Sequence, residues 1–209
     1  REVLHWAIDM DMNQSPPQLA ERIHRRLRQI TGENDPYFAP KARLNDISVR
    51  LLPALRAEVL SSKAPLLAAA RMAIAGNIID MGLNGIISEA DVHRAMRHAL
   101  SEPFCGEQEQ FYQAIATVQW ILYLADNAGE IAFDRLLIEQ ISPERVTLVV
   151  RGAPVINDAT RDDARQGSCA PAKMEGEGEL VQMAEGFIGK LAHGTLPDQQ
   201  ACEASVERT

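Results

Sequence analysis

The sequence has few of the features that mark secreted and membrane-spanning proteins. It contains only three cysteines, which are widely spaced and form no CxxC pair. An odd number of isolated thiols indicates reduced cysteines in a cytoplasmic protein rather than a disulfide framework. No apolar run approaches the roughly 20 residues that a membrane-spanning helix needs, and the first residues lack a signal-peptide pattern. We therefore expect a chain without a membrane partner.

Basic residues are also in short supply. The chain has 21 Lys and Arg against 29 Asp and Glu, so its formal net charge is -8 at pH 7. A general nucleic-acid or anionic-membrane binder needs a basic face, so we expect neither partner. A local pocket can oppose the overall charge, which leaves small phosphorylated substrates compatible with the composition. The 209 residues and 46% apolar content fit a globular chain of one large or two small domains, without indicating an oligomeric state.

The spacing of apolar residues divides the chain into two parts. Residues 1–115 show helical spacing, with Pro and Gly between the helical segments. The pattern changes near residue 116, where the continuous apolar run 118–125 has the length of a strand. Helical spacing returns in 131–141, and the β-branched run 146–150 predicts a second strand. A strand, a helix and a strand within about 35 residues predict a βαβ unit with parallel strands.

Local signals predict two of the helix ends and leave the last part of the chain open. Gly32 is expected to cap a helix at its C-terminus, and residues 88–91 resemble a capping box that starts another helix. No further strand is recognisable after residue 166, although two strands alone rarely form a stable sheet. We therefore hypothesise that residues are missing from the chain near Gln166-Gly167.

Acidic and amide side chains follow both predicted strands. Asp126, Asn127 and Gly129 come directly after the first strand, and Asp158 follows the second strand after a short loop. Because the carboxyl ends of parallel strands share one edge of a sheet, we expect these residues to meet in one crevice. Their side-chain oxygens suit Mg²⁺ or Mn²⁺ and do not exclude Co²⁺ or Ni²⁺. Gly129 would let the backbone approach a ligand, and the helix after it would point free N–H groups at a phosphate.

The same residues also have a purely structural interpretation. Asp126 to Gly129 would make a good turn, and Asp158 just before Thr160 is typical of a helix cap. Glu130 stands at a helix start, where it either stabilises the helix dipole or serves as an acid, base or orienting group. The position of both motifs at successive strand ends favours a functional site.

These motifs resemble the DUF89 family of metal-dependent damage-control phosphatases, in its stand-alone prokaryotic branch. The two strand-end motifs are residues 124–130 (LADNAGE) and 150–160 (VRGAPVINDAT). Upstream, Asp35-Pro36-Tyr37 with Lys41 and Asn45, and residues 75–80 (AGNIID), are similar to motifs of that family's helical domain. Two separated motifs in the right order make the resemblance specific.

The resemblance implies the fold class and the domain organisation. The expected fold is α/β, with an N-terminal helical domain packed on a Rossmann-like parallel-sheet domain in three αβα layers. The change of pattern near residue 116 then divides the chain into a helical domain, 1–115, and a domain that carries the metal site, 116–209.

The resemblance also implies a divalent metal, Mn, Mg, Co or Ni. Its ligands would be Asp126, Asn127 and Asp158, which are also the predicted catalytic residues. Asn77 and Asp80 would face the same cleft as substrate-binding or orienting residues, although helix capping or a buried polar contact explains them equally well.

Two features depart from the family pattern. An early CxxC motif is absent from this sequence. The later Lys-Gly-x-Gly-Asn phosphate loop has only a distorted counterpart in 172–178 (AKMEGEG), where Lys173 is a candidate to neutralise a phosphate oxygen or is simply a solvated surface lysine.

The leading hypothesis is a metal-dependent phosphatase that hydrolyses small phosphorylated metabolites, namely sugar phosphates, nucleotides or phosphopantetheine-type compounds, in a metabolite damage-control role. The metal would polarise the phosphoryl group and position or activate a water. Alternatively, Asp126 itself would attack phosphorus or act as the base, and the sequence leaves attack by water and attack by an aspartate both open. Substrate contacts are predicted for Glu130 and for the backbone amides of Gly129 and Arg151, which would stabilise the developing charge.

Two other functions remain as alternatives. A Rossmann-like edge also suits an S-adenosylmethionine-dependent carboxyl methyltransferase, but no Gly-rich loop follows the first strand. The distorted phosphate loop is compatible with a non-catalytic helical interaction protein that retains a vestigial site.

Overall fold

The protein is mostly helical, with one small parallel sheet. The structure is a computed structural model that describes residues 2–8, 16–77, 88–102, 106–167 and 173–175. The helices of these segments are α1 (Glu2–Ile8), α2 (Pro16–Thr31), α3 (Phe38–Ser61), α4 (Pro65–Gly76), α5 (Glu89–Ser101), α6 (Gln108–Thr117), α7 (Glu130–Ile141) and α8 (Arg161–Gln166). The strands are β1 (Ile121–Leu124), β2 (Val146–Val149) and β3 (Lys173–Glu175), and a 3₁₀ turn, Pro143–Arg145, precedes β2.

Both helix ends that the sequence predicts are confirmed. Gly32 follows α2 with a φ of 73°, and its N–H donates to the carbonyl of Arg28 at 2.9 Å. Ser88 caps α5, accepting a hydrogen bond from the backbone of Asp91, whose carboxylate in turn accepts from the backbone of Ser88. These ends depend on neighbouring residues alone, which is why the local sequence predicts them.

The predicted βαβ unit is also confirmed. β1 and β2 pair in parallel, with Ile121 opposite Val146 and Leu124 opposite Val149, and α7 connects them. The ladder continues beyond β1, since the N–H of Ala125 donates to the carbonyl of Val149 at 3.0 Å. The two strands therefore end together, and the segments that follow them leave the sheet at one edge.

A third strand corrects the expectation that none follows residue 166. β3 pairs in parallel with β2, so the strand order is β1-β2-β3. Its three residues are too few for the alternation over four to eight residues that identifies a strand from sequence. Lys173, predicted to lie in a phosphate loop, is instead the first residue of β3 and stands opposite Thr147, two positions before the carboxyl end of β2.

The core lies between α3, α4 and α7. Helix α7 is buried almost all round, and Ile131, Ala132 and Phe133 are fully inaccessible. Gly76, at the end of α4, lies so close to α7 that a Cβ there would stand 3.0 Å from Cγ of Glu130. This close approach brings the end of α4 against the first turn of α7, which follows the first strand-end motif.

Within the described residues, the face of the sheet that points away from the core is only partly buried. Ile121 and Tyr123 pack against the core, whereas Leu122, on the other face of β1, is 46% exposed. The three-layer αβα arrangement and the division at residue 116 therefore stay predictions. Within the described residues no helix has the length and apolar character that crossing a membrane requires.

A buried carboxyl group on α7 carries a pH-dependent prediction. Asp134 is 3% exposed and accepts a hydrogen bond from the hydroxyl of Tyr123 at 2.6 Å. Burial raises the pKa of Asp134 to about 8 against the effect of that hydrogen bond, and the charges of Glu130 and Asp126 add to the rise. Between the ordinary pKa of 3.8 and 8 the folded protein holds a proton that the unfolded chain has lost, so stability falls as pH rises.

We therefore expect Asp134→Asn to be more stable than the wild type at pH 8.5 and close to it at pH 4. The neutral amide avoids burial of a charge at the higher pH. Urea unfolding of both proteins in a chelator at the two pH values measures this difference. Parallel pH profiles for the two proteins would contradict the prediction.

Candidate functional site

The two strand-end motifs lie side by side. Asn127 and Asp158 form an antiparallel bridge beyond the ends of β1 and β2. The N–H of Ala128 donates to the carbonyl of Asn157 at 2.8 Å, and the N–H of Ala159 donates to the carbonyl of Asp126 at 2.7 Å. Residues 29 to 33 positions apart in the sequence therefore share one edge of the sheet.

Each half-buried side chain of this edge is fixed by a neighbour. The side-chain amide of Asn127 donates from Nδ2 to Oε2 of Glu130 at 3.1 Å. Nε of Arg151 donates to Oδ2 of Asp158 at 2.5 Å, and the Asp158 side chain is only 16% exposed. Asp126 is exposed, as a group that meets solvent or ligand at this edge would be.

Gly129 has a different role from the one that the sequence predicts. Its φ is 85°, and a Cβ at this position would stand 2.9 Å from Cβ of Leu44 on α3. Its N–H donates to Oδ1 of Asn45 at 2.6 Å. The glycine therefore allows a close approach of α3 rather than of a ligand, and its amide already has a protein acceptor.

The other backbone amides expected to bind phosphate are occupied in the same way. The N–H of Arg151 donates to the carbonyl of Ala159 at 2.9 Å. At the start of α7, the N–H of Ile131 donates to the carbonyl of Asn127 and that of Ala132 to the carbonyl of Gly129. The expectation of free amides at this helix start is corrected, because the turn before α7 uses them to close itself.

A buried lysine lies behind the second strand-end motif. Lys41 on α3 is 1% exposed. Its Nζ lies 2.9 Å from Oδ2 of Asp35 and 2.8 Å from Oδ2 of Asp163, and it reaches the carbonyl of Asp158 at 3.5 Å. Thr160 completes the group, since its backbone N–H and hydroxyl both donate to Oδ2 of Asp163 at the start of α8.

The pKa shifts of Lys41 and Asp163 indicate that each stabilises the charged form of the other. Burial opposes the charged form of Lys41, but the hydrogen bonds and charges of Asp163 and Asp35 outweigh it and raise the pKa of the lysine. Burial likewise opposes the charged form of Asp163, and the hydrogen bonds from Lys41 and Thr160 outweigh it and lower the pKa of that carboxyl. The charged forms of both groups are therefore favoured at neutral pH.

Asn45, one helical turn after Lys41, contacts the first motif and helix α8, which directly follows the second motif. Its Oδ1 accepts from Gly129, and its Nδ2 donates to Oδ1 of Asp163 at 3.0 Å and to Oε1 of Gln166 at 3.2 Å. In the sequence, Lys41 and Asn45 stand out only through the family resemblance. A further signal is present, because both lie on the face of α3 that also carries buried Leu44 and Leu52, where polar residues are unusual.

A cavity of about 420 Å³ adjoins the edge, a size that small-molecule sites commonly have. Arg151, whose side chain binds Asp158, lies between the cavity and the edge. The wall of the cavity combines charged, hydroxyl and amide groups with one half-exposed aromatic ring. Among the residues that contribute them are Arg161, Thr160, Gln166 and Phe38.

The remaining predicted site residues are less well defined. Asn77 is exposed and caps the C-terminus of α4, next to Gly76 and therefore near the first turn of α7. Asp80 lies outside the described residues. Lys173 is described only through its backbone, in β3.

The donor atoms at this edge suit a hard divalent cation. Asp126 and Asp158 supply carboxylate oxygens, and Asn127 engages Glu130 through its amide nitrogen, so its carbonyl oxygen is the donor atom it offers to a cation. Across the described part of the chain, no three His, Cys, Asp or Glu side chains form a metal-ligand group. A metal at this edge would therefore need the amide oxygen of Asn127 or ligands that the protein does not provide.

Comparison with known proteins gives the relationships of the chain. The sequence profile described as the damage-control phosphatase ARMT1-like domain matches residues 1–195. The chain belongs to this family. The family match agrees with the DUF89 resemblance inferred from the strand-end motifs.

Archaeal relatives of this damage-control phosphatase family are longer than the chain. It is 35% identical over 184 residues to a damage-control phosphatase of Archaeoglobus fulgidus, with 87% of this chain and 62% of the relative aligned. It is 33% identical over 188 residues to an uncharacterized protein of Methanocaldococcus jannaschii, with coverages of 83% and 57%. The chain thus spans about three fifths of the length of these relatives.

A solved structure supports the family relationship at the level of the fold. The crystal structure of a DUF89 family protein from Pyrococcus horikoshii is 26% identical and superposes with a TM-score of 0.62. The superposition covers 73% of this chain and 54% of the Pyrococcus chain. The helical part and the small parallel sheet are therefore arranged as in a DUF89 protein.

Proposed function

We propose that this chain carries the catalytic edge of a metal-dependent phosphatase that hydrolyses small phosphorylated metabolites. The observation that carries the proposal is the pairing of Asn127 with Asp158, which puts Asp126, Asn127 and Asp158 at the carboxyl edge of a parallel sheet. Ligands bind at this edge in open α/β sheets. Membership of a family named for damage-control phosphatases supports the same activity.

The three edge residues would hold the metal. Once bound, Mn²⁺, Mg²⁺, Co²⁺ or Ni²⁺ would act as a Lewis acid on the phosphoryl oxygens and lower the pKa of a bound water. The contact between Glu130 and Asn127 supports this assignment, because it fixes the orientation of the amide. The contact between Arg151 and Asp158 does the same for the carboxylate.

Arg151 is also the side chain that we assign to the phosphate. It binds Asp158 and lines the adjoining cavity, and the planar guanidinium matches phosphate geometry. We assign phosphate binding to this side chain and not to the backbone amides of Gly129 and Arg151, because both amides already donate to protein acceptors. Asn77, Asp80 and Lys173 stay candidates for substrate contacts.

The cavity beside Arg151 would take the organic part of the substrate. Its volume of about 420 Å³ and its hydroxyl, amide and charged groups suit a polar metabolite rather than a purely apolar one. Sugar phosphates, nucleotides and phosphopantetheine-type compounds are the candidates to test. A cytoplasmic location, a Rossmann-like three-layer domain and the boundary at residue 116 belong to the same proposal.

Phosphate release from a panel of these compounds tests the proposal. The chain is freed of metal with a chelator and then assayed with Mn²⁺, Mg²⁺, Co²⁺ and Ni²⁺ in turn. We expect release of phosphate from at least one compound class, its loss in the chelator, and its return when a metal is added. Release that continues unchanged in the chelator would refute metal dependence. Binding of S-adenosylmethionine without metal would instead favour the methyltransferase alternative.

A further inference from the structure

Helix α3 presents a buried polar stripe to the candidate site. Lys41, Asn45 and Ser48 lie at helical spacing on one face, and each is 1% exposed. The apolar residues between and after them on this face, such as Leu44 and Leu52, belong to the buried interior. Polar side chains in such a position cost free energy unless hydrogen bonds satisfy them, so the stripe needs an explanation.

Asn45 contacts the segments that follow both strands. Its Oδ1 accepts the N–H of Gly129 at 2.6 Å, two residues after Asn127. Its Nδ2 donates to Asp163 at 3.0 Å, in the segment that follows Asp158. One side chain on a third element therefore contacts both segments, which also bond to each other through their backbones.

Lys41 holds the second segment from the same helix. Its Nζ binds Asp163 at 2.8 Å and reaches the backbone carbonyl of Asp158 at 3.5 Å. Directional hydrogen bonds fix the position of a loop more closely than apolar packing does, because packing tolerates small shifts and repacking. The charged contacts of this cluster are also stronger than neutral ones.

Ser48 completes the stripe without touching either segment through a hydrogen bond. Its Oγ is buried and has no hydrogen-bond partner within the described structure. It lies near Gly129, since a Cβ on that glycine would stand 3.5 Å from the hydroxyl oxygen. Ser48 therefore shares the helix face and the burial of Asn45 but not its contacts, which makes it a matched control.

We propose that Asn45 and Lys41 are positioning residues that hold the two strand-end motifs at a fixed separation. They act through Gly129 and Asp163. Asn45 does not line the cavity assigned to the substrate, and Lys41 lines it with its Nζ engaged by Asp35 and Asp163. The inference rests on the proposed function for its catalytic consequence, while the coupling of the two segments stands on contacts alone. Its main consequence is that a change on α3 loosens both motifs together, although they are remote from each other in sequence.

The test compares Asn45→Ala with Ser48→Ala at a temperature well below unfolding. Hydrogen exchange is measured for the backbone of 126–132 and 157–163, and Mn²⁺ affinity is measured by calorimetry with the metal alone. In Asn45→Ala we expect faster exchange in both segments and Mn²⁺ binding weaker by about 10- to 100-fold, as for residues that orient ligands elsewhere. Ser48→Ala should match the wild type in both measurements.

A second variant keeps the test decisive if Asn45→Ala does not fold. Asn45→Asp retains an oxygen that accepts from Gly129 and sets a carboxylate against Asp163 in place of the donating amide, so we expect faster exchange in 157–163 and slow exchange at Gly129. Exchange and Mn²⁺ affinity equal to the wild type in a folded Asn45 variant would overturn the proposal. A wild type that neither binds Mn²⁺ nor releases phosphate would sink the proposed function, whereas the exchange result would still decide the coupling.

Discussion

Replacing Asp126 with Asn is expected to lower phosphate release by at least about 100-fold, the loss typical when a group that stabilises charge in the transition state is removed. Asp126 is exposed, and its backbone carbonyl rather than its side chain accepts the hydrogen bond from Ala159. The substitution keeps the shape of the side chain and removes its negative charge. Activity should therefore fall while the free energy of unfolding changes little.

The measurement is kcat/KM for the best substrate of the panel, with the metal that supports the highest rate. Asp46→Asn is the matched control, because Asp46 is also an exposed carboxylate and pairs with Arg50 on α3, outside the candidate site. We expect its kcat/KM to stay within twofold of the wild type. An Asp126→Asn protein with full activity and full Mn²⁺ affinity would remove Asp126 from the site.

The fold was predictable from sequence where local patterns decide it. The apolar run before Asp126 gave β1, the helical spacing after it gave α7, and the β-branched run gave β2 in parallel register. β3 was missed because Lys173–Glu175 contains one apolar residue in three. β3 forms by pairing with the edge of β2, so it depends on the tertiary structure and not on the local sequence.

The candidate site was predictable to a smaller extent. Asp126, Asn127 and Asp158 were recognised because parallel strands must end at one edge, a rule of topology. The ion group of Lys41 and Asp163 was not, because 122 residues separate the two partners. The sequence shows that position 129 is a glycine, which is compatible with close approach of a ligand. Only the packing shows that Leu44 is the group that approaches Gly129.

The largest expected effect on stability comes from Lys41→Met. The substitution leaves Asp35 and Asp163 beside each other without the cation that both contact, and Asp163 is 5% exposed. Removing one partner of a buried ion pair costs about 3–5 kcal/mol, since the remaining charge is left uncompensated. Met fills nearly the volume of the lysine stem, so the loss reports on charge rather than on a cavity.

The pH dependence separates this cause from a simple packing defect. In the wild type the pKa of Asp163 is lowered, so its contribution to stability is present above the ordinary value of 3.8 and is lost as pH falls through the folded value. The pKa of Lys41 is raised, so its contribution is present below 10.5 and is lost as pH rises through the folded value. The gap between wild type and Lys41→Met should therefore be widest near neutral pH and narrow in acid, where the carboxyls are protonated in the variant.

Urea unfolding at pH 7 and pH 4 measures this gap. Arg50→Met is the control, because Arg50 also lies on α3 and pairs with Asp46, but the two side chains are 51% and 65% exposed. An ion pair with that exposure contributes little to stability, so the control should lose far less stability and show little change with pH. A loss in Lys41→Met that is equal at both pH values would assign it to packing. A loss that shrinks in acid would establish that the lysine is retained in the core to neutralise the two carboxylates behind Asp158.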